Sequence, residues 1–176
     1  MNLKFFLLVF FGLTLTTQAA TYKQNCRVIG EDDYLQFTIE SDLSSGSSFA
    51  FKITAFEDED CKIAYLHYDQ YFKIDSIAGE KINLKTEKVT YTPLSKEVAS
   101  ALRMINYCNT KNWNAKVAVD VTGQLCDNYQ QFAKDEIFFQ ILKNESSILK
   151  FGTTTKALDG HSEKNRPQDF DELDYL

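Results

Sequence analysis

The chain has 176 residues, 44% of them hydrophobic and 14% aromatic, with a formal net charge of −6; that is enough for one domain with a sizeable core. The acidic balance, with no block rich in lysine and arginine, argues against a nucleic-acid partner and against an anionic membrane surface, both of which depend on clustered positive charge.

Residues 1–20 carry Lys4, an apolar run over 5–15 and a small-residue exit through Thr16, Thr17, Gln18, Ala19 and Ala20. This is the pattern of a secretory signal peptide cleaved near Ala19 or Ala20. The apolar run falls short of the roughly 20 residues a bilayer span needs, so no membrane span is expected after its removal. The mature chain is expected to be secreted or periplasmic.

Residues 22–29 read as a first strand, closed by the turn-rich Gly30, Glu31, Asp32 and Asp33. Over 34–40, Leu35, Phe37 and Ile39 alternate against Gln36, Thr38 and Glu40, as in a half-buried antiparallel strand. A serine-rich loop over 41–48 leads to its hairpin partner, in which Phe49, Phe51, Ile53 and Ala55 alternate with polar residues. The acidic run over 57–60 lacks the glycine and distal glutamate of an EF-hand and reads as a solvated turn. Strands are expected over 61–68, which contains His67, then over 71–77, with Phe72 and Ile74 inward, and over 81–91. A turn over 78–80 divides the last two.

Thr92 and Pro93 break this pattern, and either Thr92 or Ser95 can cap the helix expected over about 94–107. Leu94, Val98, Leu102 and Ile105 form one stripe of that helix, which should pack on the sheet. Glu97 and Arg103 suit the two ends of its dipole. A strand over 116–121 follows. The last hairpin joins 134–142, with Phe139 inward, to 148–151. Its turn holds the sequon Asn144, Glu145 and Ser146, a composition that turns and glycosylation sites share. Residues 153–176 are polar and acidic, and read as a surface segment or partly disordered tail. The domain organisation is therefore a signal peptide over 1–20, a barrel domain over 21–152 and a C-terminal tail over 153–176.

Cys26, Cys61, Cys108 and Cys126 are an even set in an exported chain, which favours two disulfides over a metal site. Three pairings are possible. Cys26 with Cys61 and Cys108 with Cys126 would each close a local loop, and the second closure would contribute about 3 kcal/mol by loop entropy. The short spacings of a zinc site are absent, and no cofactor is implied.

Short strands at regular spacing with one inserted helix predict a mainly β, antiparallel fold, a closed lipocalin-like barrel of about 8–9 strands. In motif order the chain resembles the adenomatosis polyposis coli down-regulated family of Wnt inhibitors. The resemblance runs through Phe56, Asp58 and Cys61; Thr92 and Pro93; Tyr107, Cys108 and Trp113; Val121, Gly123 and Cys126; and Leu149, Gly152, Asp159, Gly160, Ser162, Arg166 and Pro167. It implies a barrel with an apolar pocket for an acyl chain, and a lipid or lipid-modified protein as partner.

The inward residues Leu35, Phe37 and Ile39, then Phe49, Phe51 and Ile53, then Phe72, Ile74 and Phe139, could line such a cavity or fill a dry core. The expected function is binding of a lipid or other apolar small molecule in the barrel interior; the alternative is a non-catalytic interaction module with a filled core. Catalysis is not expected. Of the two histidines, His67 falls in a strand, and His161, in Asp159-Gly160-His161-Ser162, falls in the stretch with least periodicity, whereas catalytic groups need rigid support.

Overall fold

The computed structural model describes residues 19–29, 33–145 and 148–176. Residues 1–18 of the expected signal peptide, residues 30–32 of the expected turn and Ser146 of the sequon lie outside the described residues. Among those residues, no helix is long and apolar enough to cross a membrane.

The structure is mainly β. β1 (Ala20–Lys23) and β2 (Arg27–Ile29) both pair with β3 (Asp33–Ser41), which pairs in turn with β4 (Ser48–Phe56). β5 (Ala64–Ala78) and β6 (Lys81–Pro93) form a long hairpin that continues the sheet. Then come helix α1 (Lys96–Met104), the short strands β7 (Val119–Asp120), β8 (Leu125–Cys126) and β9 (Tyr129–Gln130), and the hairpin of β10 (Ile137–Glu145) and β11 (Ile148–Phe151). The main sheet runs β1-β3-β4-β5-β6-β10-β11, all antiparallel, with β7 appended to β6 and β8-β9 forming a separate ribbon.

Alternation explains the walls. Phe37 stands opposite Ile53, Ile39 opposite Phe51, and Phe49 opposite Phe72, so each inward residue meets another across the ladder. The register shifts at Ala55/Phe56, Tyr71/Phe72 and Ile74/Ser76. Such bulges bend a strand and increase its twist, which lets the sheet coil on itself.

Closure comes from the C-terminal residues. Tyr175 pairs with Leu149 of β11 through two 2.9 Å bonds. On the other side, the Lys23 amide of β1 donates to the Leu176 carbonyl at 2.9 Å and the Leu176 amide donates back at 3.0 Å. Gln24 Nε2 adds a 2.8 Å bond to the Leu173 carbonyl. The residues read from sequence as a surface segment or disordered tail thus fill the gap between the first and last strands and satisfy both exposed edges. Tyr175, 2% exposed, anchors them in the core.

Several strands differ from the sequence expectation. The stretch 22–29 is broken in two, and the two strands expected over 61–68 and 71–77 form one, β5. The strand over 116–121 shrinks to β7, leaving Val117 exposed and Val121 buried. Ser95 caps α1, its Oγ accepting from the Val98 amide at 3.2 Å. The expected stripe meets the sheet only in part: Leu102, half-buried, packs in a cluster with Val89 and Tyr91 of β6, Ala99 is the buried residue of the helix and Ile105 is 68% exposed. Asn106 turns the chain left-handed at φ 53° and ends the helix there. Ala99 and Leu102 share that cluster with Trp113 and Tyr107, which follow the helix.

Phe139 is the second correction. Phe138 is the inward member of that pair, placed opposite Leu84 and buried in the core, whereas Phe139 lies beneath the Arg166 guanidinium at 5.3 Å. The disulfides join Cys26 to Cys61 and Cys108 to Cys126. The second fastens the exit of α1 to β8.

Candidate functional site

The barrel interior has two unlike halves. In one, Ile39, Phe49, Phe72, Ile74, Ile82 and Leu84 are at most 1% exposed and fill the space between the walls. Toward the other end the inward residues Leu35, Phe51 and Ile53 are only partly buried. There a cavity of about 210 Å³ opens, walled by Phe37, Phe51, Ile53, Phe138, Phe151 and Tyr175. Phe51 stacks on Phe151 at 5.5 Å, and Phe37 lies 5.8 Å from Phe51. These ring contacts link β3, β4 and β11 along the cavity wall.

Of the nine residues singled out from sequence, three, Phe37, Phe51 and Ile53, line this cavity. Ile39, Phe49, Phe72 and Ile74 lie in the filled half, Leu35 packs beside the core, and Phe139 stands on the other face of β10. The polar lining was not visible in sequence. Arg27 of β2 donates from one Nη to both oxygens of Asp171 at 2.9 and 2.8 Å, and its guanidinium lies 4.3 Å from the Phe37 ring centre. The two residues are 144 positions apart, so only closure by the C-terminal segment unites them. On β5, Gln70 Nε2 donates to the Tyr68 hydroxyl at 2.8 Å, which donates to Gln131 Oε1 at 2.7 Å. Burial, reinforced by the neighbouring Tyr91, Tyr129 and Tyr107, pushes the Tyr68 phenol well above its ordinary range, so it stays neutral and able to donate.

The mouth is built by the excursion between β6 and β10 and by the stretch after β11. Tyr129, Thr154 and Asp159 border both the cavity and an outer groove of about 620 Å³, which Lys156 and His161 also line. Gly160 sets this geometry: its φ is +76°, and a Cβ there would fall 2.4 Å from the Phe138 ring. Only glycine accepts both the left-handed backbone and that approach. The Gly160 carbonyl accepts from the Phe139 amide at 2.8 Å, docking the stretch on β10.

His161 is therefore not on a free tail. Its Nδ1 lies 2.6 Å from Glu136 Oε1, and its ring stacks on Phe132 at 4.2 Å. A histidine held by a carboxylate beside a groove is a starting geometry for acid-base chemistry, but it needs a reacting partner within hydrogen-bond reach. Here the carboxylate and the ring contact fix the loop to the barrel. His67 lies at the opposite phase to Tyr68, its Nδ1 3.0 Å from the Thr54 hydroxyl across the β4-β5 ladder. Among the described residues, no group of three or more histidine, cysteine or acidic side chains could hold a metal ion.

No protein-family model matches the chain, and no curated protein matches it significantly.

Proposed function

We propose that this chain is an exported, non-catalytic binding module that takes a lipid or other compact apolar ligand in the open half of its barrel. The observation that carries this reading is the aromatic-walled cavity of about 210 Å³ opening at one end of a barrel whose other half is filled. Two disulfides and an apolar leader support export. The resemblance in motif order supports an acyl ligand, free or attached to a protein.

Size limits the ligand. A cavity near 150 Å³ accepts benzene, and drug-sized pockets begin near 300 Å³. One ring or a short acyl segment fits inside. A longer chain would place its end there and continue along the outer groove, which shares Tyr129, Thr154 and Asp159 with the cavity.

Native mass spectrometry of the oxidised protein from an exporting host, followed by organic extraction, tests the reading together with displacement of an uncharged fluorescent fatty-alcohol probe. A co-purifying apolar molecule, or probe binding that Ile53→Trp weakens by about tenfold by filling the cavity, is the expected result. An empty protein that ignores the probe overturns it and favours the filled-core interaction module.

A further inference from the structure

We propose that the cavity is selective for an organic cation, a primary or quaternary ammonium on a compact apolar body, with its charged end held at the mouth by Asp159. This rests on the pocket reading above and names the class of ligand.

Three charged groups line the cavity: Arg27, Asp171 and Asp159. Two of them cancel, because Arg27 and Asp171 form a partly buried, two-bond ion pair. Asp159 forms no ion pair among the described residues. Its Oδ1 accepts from two neutral donors, the His161 amide at 3.1 Å and Asn165 Nδ2 at 3.2 Å. Those bonds fix the carboxylate at the boundary between cavity and groove without neutralising it. The cavity wall thus carries one uncompensated negative charge.

The surroundings suit a cation. Asp159 adjoins Gly160, which lies against the Phe138 ring, and it shares the mouth with Tyr129. Aromatic faces carry negative quadrupoles and attract ammonium groups, most strongly where water is excluded. The negative field at the mouth also registers on Tyr129, whose phenol is pushed up first by burial and then by the charges of Asp159 and Glu136. Arg27 Nε is buried without a hydrogen-bond partner, but the charge of its guanidinium is already matched by Asp171, so an anionic ligand would find a donor there and no net positive charge. The remaining cation nearby, Lys156, is exposed and borders only the outer groove.

Competition binding with a matched set of hexylamine, 1-hexanol and hexanoate on the oxidised protein tests the assignment. Hexylamine should bind about tenfold more tightly than hexanol, the scale of one charge-assisted hydrogen bond, and hexanoate should bind most weakly. Asp159→Asn should reduce hexylamine to the affinity of hexanol and leave hexanol unchanged. If hexanoate equals or exceeds hexylamine, or if the amine preference survives Asp159→Asn, the charge assignment fails while the pocket reading stands. If none of the three binds, the pocket reading itself fails. The ranking on the unmodified protein decides the sign of selectivity even where the variant does not fold.

Discussion

Arg166 shows how one side chain can organise a surface that alternation leaves ambiguous. It is 6% exposed, and its guanidinium donates to the Ile82 and Gln140 carbonyls, to Asn83 Oδ1 and to Glu163 while lying over Phe139. The chain after β11 is thereby buttoned to the outside of the β6-β10 pair. Glu163 responds to this arrangement: the bonds from Arg166, then from Lys81, pull its carboxyl down to about 2. A folded-state value below the ordinary one means a stabilising contribution that is present above about pH 4.5 and disappears as the pH falls toward 2. Because the Glu163 side chain is 54% exposed, solvent screening keeps that contribution below about 1 kcal/mol. Urea midpoints measured at pH 5.5 and pH 2.5 should show a smaller acid-induced loss for Glu163→Gln than for the unmodified protein; equal losses would show that the pair contributes nothing.

At the scale of elements, the decisive piece is the stretch from Asp169 to Leu176, a stretch without strand-like alternation. It is polar because only some of its side chains face inward, while its backbone serves two edges at once. Thr153 donates to the Asp169 carbonyl and Asp171 to the Phe151 carbonyl on one side, and Leu176 meets Lys23 on the other. Tyr175→Ala should therefore cost about 3 kcal/mol or more in urea denaturation, as for a large buried aromatic, whereas a surface tail would register under about 0.5 kcal/mol. The strands β3, β4 and β6 were legible because polar and apolar residues alternate there, whereas β5 reads as two strands in the sequence. In β10 polar and apolar residues do not alternate. The odd-numbered set Ile137, Phe139 and Ile141 is wholly apolar, yet the barrel takes Phe138, Gln140 and Leu142 inside. Gln140 can be buried because its Nε2 donates to the Gly152 carbonyl at 3.1 Å and its Oε1 accepts from the Ile141 amide at 2.7 Å, while the C-terminal stretch covers the apolar face left outside.

For the molecule as a whole, stability should be unevenly distributed. The ladders of β3, β4, β5 and β6 are long and carry the filled half of the core, whereas the excursion after β6 returns to the sheet through two residue pairs, Thr90 with Asp120 and Tyr91 with Val119. The Cys108–Cys126 bridge and the aromatic cluster around Trp113 hold it closed. Hydrogen exchange should find amides over 106–118 opening locally, about 100-fold faster than those of β4 and β5, and faster still after reduction. Uniform protection across the chain would contradict this. The same excursion, further along, supplies Tyr129 at the mouth of the cavity.

The sequence by itself determined the β-rich class, the antiparallel hairpins, the helix with its acidic start and basic end, and the even cysteine set, because these follow from local periodicity, turn chemistry and loop closure. It also pointed to aromatic side chains facing an interior. Tertiary structure alone decided whether that interior is filled or open, which phenylalanine of β10 faces it, and how the barrel closes. Those outcomes depend on contacts between residues far apart in the chain, such as Arg27 with Asp171 and Leu149 with Tyr175. No local pattern encodes such pairs: their energy appears only when the first and last strands have been brought to either side of the same segment.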